Sequence, residues 1–403
     1  MTHRSSRWLH RLAAATLLAG SGPACNPASN GVGGGEPETL GPASTTETSS
    51  PTDSSDPTAE DPDGTTTADP TTTEGPDPDS TTGPTVECPP VPSCDAPPPD
   101  AGELLPWEHP VESGAVVLSG NPRHRGRDMF YNPGDTQWAM AKFAYGLTDW
   151  DLEDERVDLF LLRDCEGSGQ DDWEYLGPSF TTNEGNHPTV EGVEDTGGRV
   201  YFQIPTPLGL GRHRIHMVVR GDGTRADTYI EVVERGTPII LSDIDGTLTT
   251  DEWERLVDFL LDTIPDINPG APEALHALVA QGYRPMYLTA RPEFVGARTY
   301  QFVEERGLPP GIIHTSLLAT GALNDVAVEY KTAELAALAA RGLRPAYVFG
   351  NTDSDAEAYD NAGIEPLDHR IFFQYVDSFG GRTIQSYEDL VPEFEALDPV
   401  CDP

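Results

Sequence analysis

The sequence predicts an α/β protein: a Rossmann-like parallel sheet preceded by an antiparallel β-sandwich and, before that, a disordered tether. Three observations predict it. Residues 26–102 contain no Lys or Arg and 15 acidic residues, set among Thr, Ser, Pro and Gly. Residues 103–235 run in short alternating segments broken by Gly, Asp and Asn turns. From 236 to 403, apolar strands alternate with amphipathic helices, the pattern of a parallel sheet covered on both faces.

Composition narrows the function. Only 37% of the 403 residues are hydrophobic, and 25 Lys and Arg stand against 67 Asp and Glu, a net charge of −42. So acidic a chain excludes nucleic acid as a partner, because phosphate contacts need clustered Lys and Arg. No run approaches the ~20 apolar residues of a membrane span.

The first 25 residues read as an export signal. Arg4, Arg7 and Arg11 form a basic start, Leu12 to Gly20 a short apolar stretch, and small residues lead to Cys25. Cys25 resembles the lipidated cysteine of bacterial lipoproteins, so the expected location is outside the cytoplasm, anchored to a membrane through Cys25 or else secreted. The acidic segment 26–102 cannot bury enough apolar surface to offset its ordering entropy. As a flexible coil, its 77 residues would span roughly 45–55 Å and let the folded body sweep the bilayer. The four remaining cysteines, Cys88, Cys94, Cys165 and Cys401, allow three disulfide pairings. One of these joins Cys88 to Cys94 and Cys165 to Cys401. No Cys-x-x-Cys zinc spacing occurs.

In the 103–235 region the expected strands are 115–118, 138–145, 157–162, 200–204, 215–219 and 229–233. They suggest a sandwich of immunoglobulin-like or transthyretin-like kind. Asp149, Asp151, Glu153, Asp154 and Glu155 fit no EF-hand spacing and read as a solvated loop. Arg123, Arg125, Arg127, Arg212 and Arg214 read as solvent-facing charges.

The C-terminal region begins with a strand at 238–241, followed by helices at 252–261 and 272–281. A strand at 286–288, a helix at 294–305 and a short strand at 312–313 come next. Helix 328–340, strand 346–349, helix 356–361 and strand 371–375 complete it. Ligands of such sheets bind beyond the carboxyl ends of the strands, so the polar residues there carry the functional argument.

Four such positions stand out. Asp243-Ile244-Asp245-Gly246-Thr247 places two carboxylates in one crevice, one able to attack phosphorus and the other to carry the proton. Thr289-Ala290-Arg291-Pro292 offers a hydroxyl and backbone N–H groups to a phosphate oxygen. Lys331 is one of only two lysines in the chain, with Lys142, and stands near the start of an apolar helix as a point charge for a phosphoryl group. Gly350-Asn351-Thr352-Asp353-Ser354-Asp355 adds oxygen ligands for a hard cation such as Mg²⁺.

In order and spacing these motifs resemble the haloacid-dehalogenase-superfamily phosphatases, and within them the lipin-type catalytic domain. The resemblance covers about 238–395. It implies a Mg²⁺-dependent phosphomonoester hydrolase acting through an Asp243 aspartyl-phosphate, with a phospholipid such as phosphatidate as substrate. It assigns catalysis to Asp243, Asp245, Thr289 and Lys331, and phosphate binding to Gly246, Thr289, Ala290 and Lys331. Mg²⁺ falls to Asp243, Asp245, Asn351 and Asp355. The intervals Asp245–Thr289 and Thr289–Lys331, 44 and 42 residues, leave no room for a large cap, which suits a bulky or membrane-embedded substrate. Two alternatives stand beside this reading: a phosphatidate-binding module without catalysis, and a phosphatase of another exported phosphate ester.

Overall fold

A computed structural model describes residues 87–100, 102–250 and 264–401. The expected signal, Cys25, most of the tether and the expected helix 252–261 lie outside the described residues.

The first layer is a sandwich. Strands β1 (Arg125–Arg127), β3 (Trp138–Lys142) and β8 (Arg199–Gln203) form one antiparallel sheet in the order β1-β3-β8. The facing sheet has the order β2-β10-β9-β6-β7 and comprises β2 (Met129–Tyr131), β6 (Arg156–Leu162), β7 (Trp173–Phe180), β9 (Gly211–Val219) and β10 (Arg225–Val232). All its pairings are antiparallel except β2 with β10. A two-stranded ribbon, β4 (Ala144–Tyr145) and β5 (Trp150–Asp151), closes one end. Alternation builds the core: Val157, Leu159 and Leu161 of β6 point inward with Ile215, Met217 and Val219 of β9.

The elements of this region depart in part from those expected. Residues 115–118, whose valines suggest a strand, belong to helix α1 (Pro110–Val117). Pro110 starts that helix where its missing N–H costs nothing, and Ser113 and Val116, three apart, supply its buried side. Strand β7 is not among the expected strands, because its glycine, proline and exposed positions break the alternation.

The second layer is a six-stranded, wholly parallel sheet in the order β13-β12-β11-β14-β15-β16. Its strands are β11 (Ile239–Ser242), β12 (Arg284–Pro292), β13 (Ile312–Ser316), β14 (Pro345–Gly350), β15 (Arg370–Phe373) and β16 (Arg382–Ile384). Both faces are covered. Ile240, Tyr287, Ile313 and Phe349 pack under helices α2 (Ala271–Ala280) and α6 (Val391–Glu395). Ile239, Leu241, Met286, Leu288 and Val348 pack under α4 (Asp325–Ala340) and α5 (Asp353–Asn361). Helix α3 (Gly296–Glu305) follows β12. The chain runs from β11 outward to β13, then returns to β14 on the other side. That reversal opens a crevice at the carboxyl ends of β11 and its neighbours.

Two disulfides close the fold: Cys88–Cys401 and Cys94–Cys165. They differ from the pairing singled out in the sequence, because Cys94 packs with Leu162 and Trp173 beside Cys165. The segment from Cys88, expected to be tether as far as residue 102, is therefore packed on the body, with Val91, Cys94 and Ala96 buried. The arginines expected to face solvent are also placed differently. Arg125, Arg127 and Arg212 are 5%, 8% and 4% exposed, and Arg127 pairs with Glu334 across the junction of sandwich and parallel sheet. The acidic loop is likewise engaged: Asp149 pairs with Arg125, Asp151 with Lys142, and Glu155 accepts the Glu108 and His109 N–H groups.

Candidate functional site at the strand ends

Asp243 immediately follows β11, and its N–H donates to Phe349 O of β14 at 3.0 Å, extending the ladder by one residue. Its side chain then points past the sheet edge. The turn that follows requires Gly246, which sits at φ +72°, a conformation that side chains with a Cβ disfavour. Asn268 holds this turn by donating to Thr247 O at 2.8 Å and Thr249 O at 3.1 Å, and Tyr387 Oη donates to Thr247 O at 3.1 Å.

Lys331, in the second turn of α4, reaches under the crevice. Nζ donates to Asp243 Oδ1 at 2.8 Å and to Asp355 Oδ1. All three groups are buried: Lys331 is 3% exposed, Asp243 4% and Asp355 0%. Burial, with Asp355 and Asp245 nearby, pushes the Asp243 carboxyl up to about 7 against the pull of Lys331. Burial also works against the Lys331 ammonium, but Asp243 and Asp355 more than offset it and raise it above the usual lysine range.

Asp355 Oδ2 accepts the N–H groups of Asn351 and Thr352, each at 3.1 Å, and the Thr352 hydroxyl at 2.7 Å. Thr352 in turn caps α5. Gly350 is needed here for space, since a Cβ would meet Asp355 Cβ at 2.5 Å. Thr247 Oγ1 donates to Asn351 Oδ1 at 2.8 Å and approaches Asp243 Oδ2 at 3.3 Å, joining the first and last motifs.

Asp245 is held by a residue to which the sequence reading gave no role. Arg291 grips it through Nε, 2.9 Å from Oδ2, and Nη2, 2.6 Å from Oδ1. Thr289 Oγ1 donates to Asp245 Oδ2 at 3.0 Å and accepts the Arg291 N–H at 3.2 Å. The sequence holds a signal for it: a residue able to donate bidentately, two positions beyond Thr289 on the same strand end.

The structure therefore brings Asp243, Asp245, Lys331, Asn351 and Asp355 to one place. A crevice of about 440 Å³ opens above them, lined by Asp243, Asp245, Ala290, Arg291, Lys331 and Asp353 among others. Two expected phosphate contacts are engaged elsewhere. Thr289 is fully buried and bonded to Asp245, and the Gly246 N–H donates to Thr249 Oγ1 at 2.9 Å. No group of three or more His, Cys, Asp or Glu side chains is arranged to hold a metal ion among the described residues. Asp355 in particular spends both oxygens on Lys331 and the 351–352 backbone. The donor chemistry nevertheless suits a hard cation. The carboxylates of Asp243, Asp245 and Asp355 stand against the two cations Lys331 and Arg291, which leaves oxygen ligands and negative charge for a hard cation.

Residues 240–373 match the family model for the LNS2 domain of PITM 1-3, and residues 122–232 match that for the PITM 1-3 β-sandwich domain. The chain is 29% identical over 245 residues to protein retinal degeneration B of Drosophila melanogaster, covering 60% of this chain and 17% of that protein. It is 30% identical over 193 residues to membrane-associated phosphatidylinositol transfer protein 2 of Homo sapiens, covering 47% of this chain and 13% of that protein. The chain thus spans less than a fifth of these relatives. Among solved structures, a chain described as a HAD-like phosphatase from Mesorhizobium loti aligns with a TM-score of 0.29 and 18% identity, over 39% of this chain and 86% of its own. That score is too low to bear on the fold.

These relatives correct the expected location. They are animal proteins, several of them named as membrane-associated, and not exported bacterial lipoproteins. The export reading rested on a short basic-then-apolar run and one cysteine in residues 1–25, a pattern with little physical content of its own. The matched segments agree with the architecture: the stretch like the PITM 1-3 β-sandwich domain is a β-sandwich, and the stretch like the LNS2 domain carries the parallel sheet.

Proposed function

We propose that the crevice hydrolyses a phosphate monoester, with a phospholipid of the phosphatidate type as substrate. One observation carries the reading: Asp243, buried and bonded to Lys331, faces the crevice beside a second carboxylate, Asp245, that is held separately. In the first step an Asp243 oxygen attacks phosphorus, the P–O ester bond breaks, and Asp245 delivers a proton to the departing oxygen. In the second, Asp245 takes a proton from water, which attacks the aspartyl-phosphate and releases inorganic phosphate. Lys331 neutralises charge on Asp243 and on the phosphoryl group throughout. Asp243 and Asn351 would hold Mg²⁺, which when bound offsets the charge of the phosphoryl oxygens. Asp355 keeps Lys331 and the 350–352 turn in place.

The test is phosphate release from phosphatidate in mixed micelles and from para-nitrophenyl phosphate, with Mg²⁺ and with EDTA. Activity should require Mg²⁺, and Asp243→Asn should lower it at least ~1,000-fold, since removing a nucleophile leaves only binding and electrostatic catalysis. Equal activity in Asp243→Asn, or none in the wild type on any ester, would sink the reading.

A second reading is a phosphatidate-binding module without turnover. It is favoured by the bidentate Arg291 grip, which occupies both oxygens of the carboxylate assigned the proton transfer, and by relatives named for phosphatidylinositol transfer. Binding to phosphatidate vesicles with no phosphate release would support it.

A further inference from the structure

Strand β12 pairs regularly with β13 up to Thr289, opposite Thr315, and resumes only at Pro292, opposite Ser316. Ala290 and Arg291 are the extra residues of this bulge. Sheet pairing with β13 therefore does not set the position of Arg291, whose guanidinium grips Asp245 beside the Thr289 hydroxyl. The Ala290 carbonyl accepts the Ala322 N–H at 2.9 Å.

Immediately after the bulge comes Glu293, a carboxylate only 9% exposed. Its partners come from the other layer of the molecule. Arg199 of β8 donates to it through Nη2 at 2.7 Å and Nη1 at 3.3 Å, and Arg125 of β1 lies at 3.2 Å. Both arginines are themselves buried and secured, Arg125 by Asp149 at 2.6 Å and Arg199 by Thr196 Oγ1 at 3.1 Å. Burial works against the Glu293 carboxylate, yet the two guanidinium groups hold its pKa below the usual range. The same device recurs at the other cation of the site. Glu334, one turn beyond Lys331 on α4, pairs with Arg127 of β1 and, at 2.7 Å, with His314. Buried pairs of this kind contribute little net stability against apolar alternatives, but removing one partner leaves the other charge buried and unpaired.

We propose that Glu293 is a positioning residue through which the β-sandwich sets the site: Arg125 and Arg199 grip Glu293, and Glu293 fixes the bulge so that Arg291 holds Asp245. The inference rests on the hydrolytic reading above for its effect on turnover, but not for its structural content.

The test uses the full chain with Glu293→Gln, which keeps the shape and removes the charge. Two readouts are taken: backbone amide hydrogen exchange, and kcat and KM on phosphatidate micelles across pH. The 289–296 amides should exchange at least about tenfold faster than in wild type while strands β9 and β11 keep their protection. The value of kcat should fall about tenfold to a hundredfold with KM changed less than about threefold, because a misplaced catalytic group costs rate rather than binding. Arg199→Gln leaves Arg125 within reach of Glu293, so it reports the same effects in smaller measure should Glu293→Gln not fold. Unchanged exchange at 289–296, unchanged kcat, or loss of protection spread equally over both sheets would overturn the inference. If the wild type hydrolyses nothing, the hydrolytic reading fails alone and the exchange data still decide the positioning role.

Discussion

Removing the Lys331 ammonium tests the electrostatics of the site most directly. In Lys331→Met, Asp243 and Asp355 lose the cation they share, in a place where both are almost wholly buried. Breaking a buried pair in this way costs about 3–5 kcal/mol, a large part of the 5–15 kcal/mol that holds a typical domain together. Most of that cost is the stranded charge, so Lys331→Met/Asp243→Asn should recover about 2 kcal/mol of it. The pH dependence has a definite sign. Asp243 already titrates up to about 7, so between its unfolded value of 3.8 and 7 the native state holds a proton that the unfolded chain has lost. Stability from this group therefore falls as pH rises through that window, and in the wild type it levels off above it. Without Lys331 the folded pKa rises further, so the variant keeps losing stability between pH 7 and 9, at up to ~1.4 kcal/mol per pH unit. Urea unfolding in EDTA at pH 5, 7 and 9 measures this. A deficit below ~1 kcal/mol at pH 9, or one that Asp243→Asn does not relieve, would refute the reasoning.

Two further predictions concern stability away from the site. Burial lowers His124 to about 4 from 6.5, so the unfolded state binds the extra proton and stability falls as pH drops through that window. His124→Gln should remove up to ~3 kcal/mol of this acid sensitivity between pH 6.5 and 4, seen as a flatter urea midpoint against pH than in the wild type. The Cys88–Cys401 bridge spans 313 residues, so Cys401→Ser should cost about 2–5 kcal/mol by freeing the unfolded chain. An unchanged denaturant midpoint in non-reducing buffer would contradict the pairing.

The strand ends and what lies on them were legible in the sequence, because both are local. Short apolar runs rich in Val, Ile and Leu mark the buried parallel strands, and a carboxylate or hydroxyl just past the last apolar residue lands at the carboxyl edge of the sheet. Hence Asp243, Asp245, Asn351 and Asp355 could be named in advance; Lys331, on helix α4, stands out as one of two lysines in the chain, and all five meet in the structure. The chemistry of pairing was not legible, because a partner can lie anywhere along the chain. Arg127 meets Glu334 across 207 residues and Arg199 meets Glu293 across 94, so arginines that read as surface charge are buried at the junction of the two layers. Cys88 finds Cys401 rather than the nearby Cys94 for the same reason. Arg291 is the sharpest case. Its place after Thr289 was plain, but only the bulge in β12 and the grip of the sandwich on Glu293 turn its side chain onto Asp245. Local pattern determines which groups stand at an edge, whereas long-range burial decides which charges must find each other there.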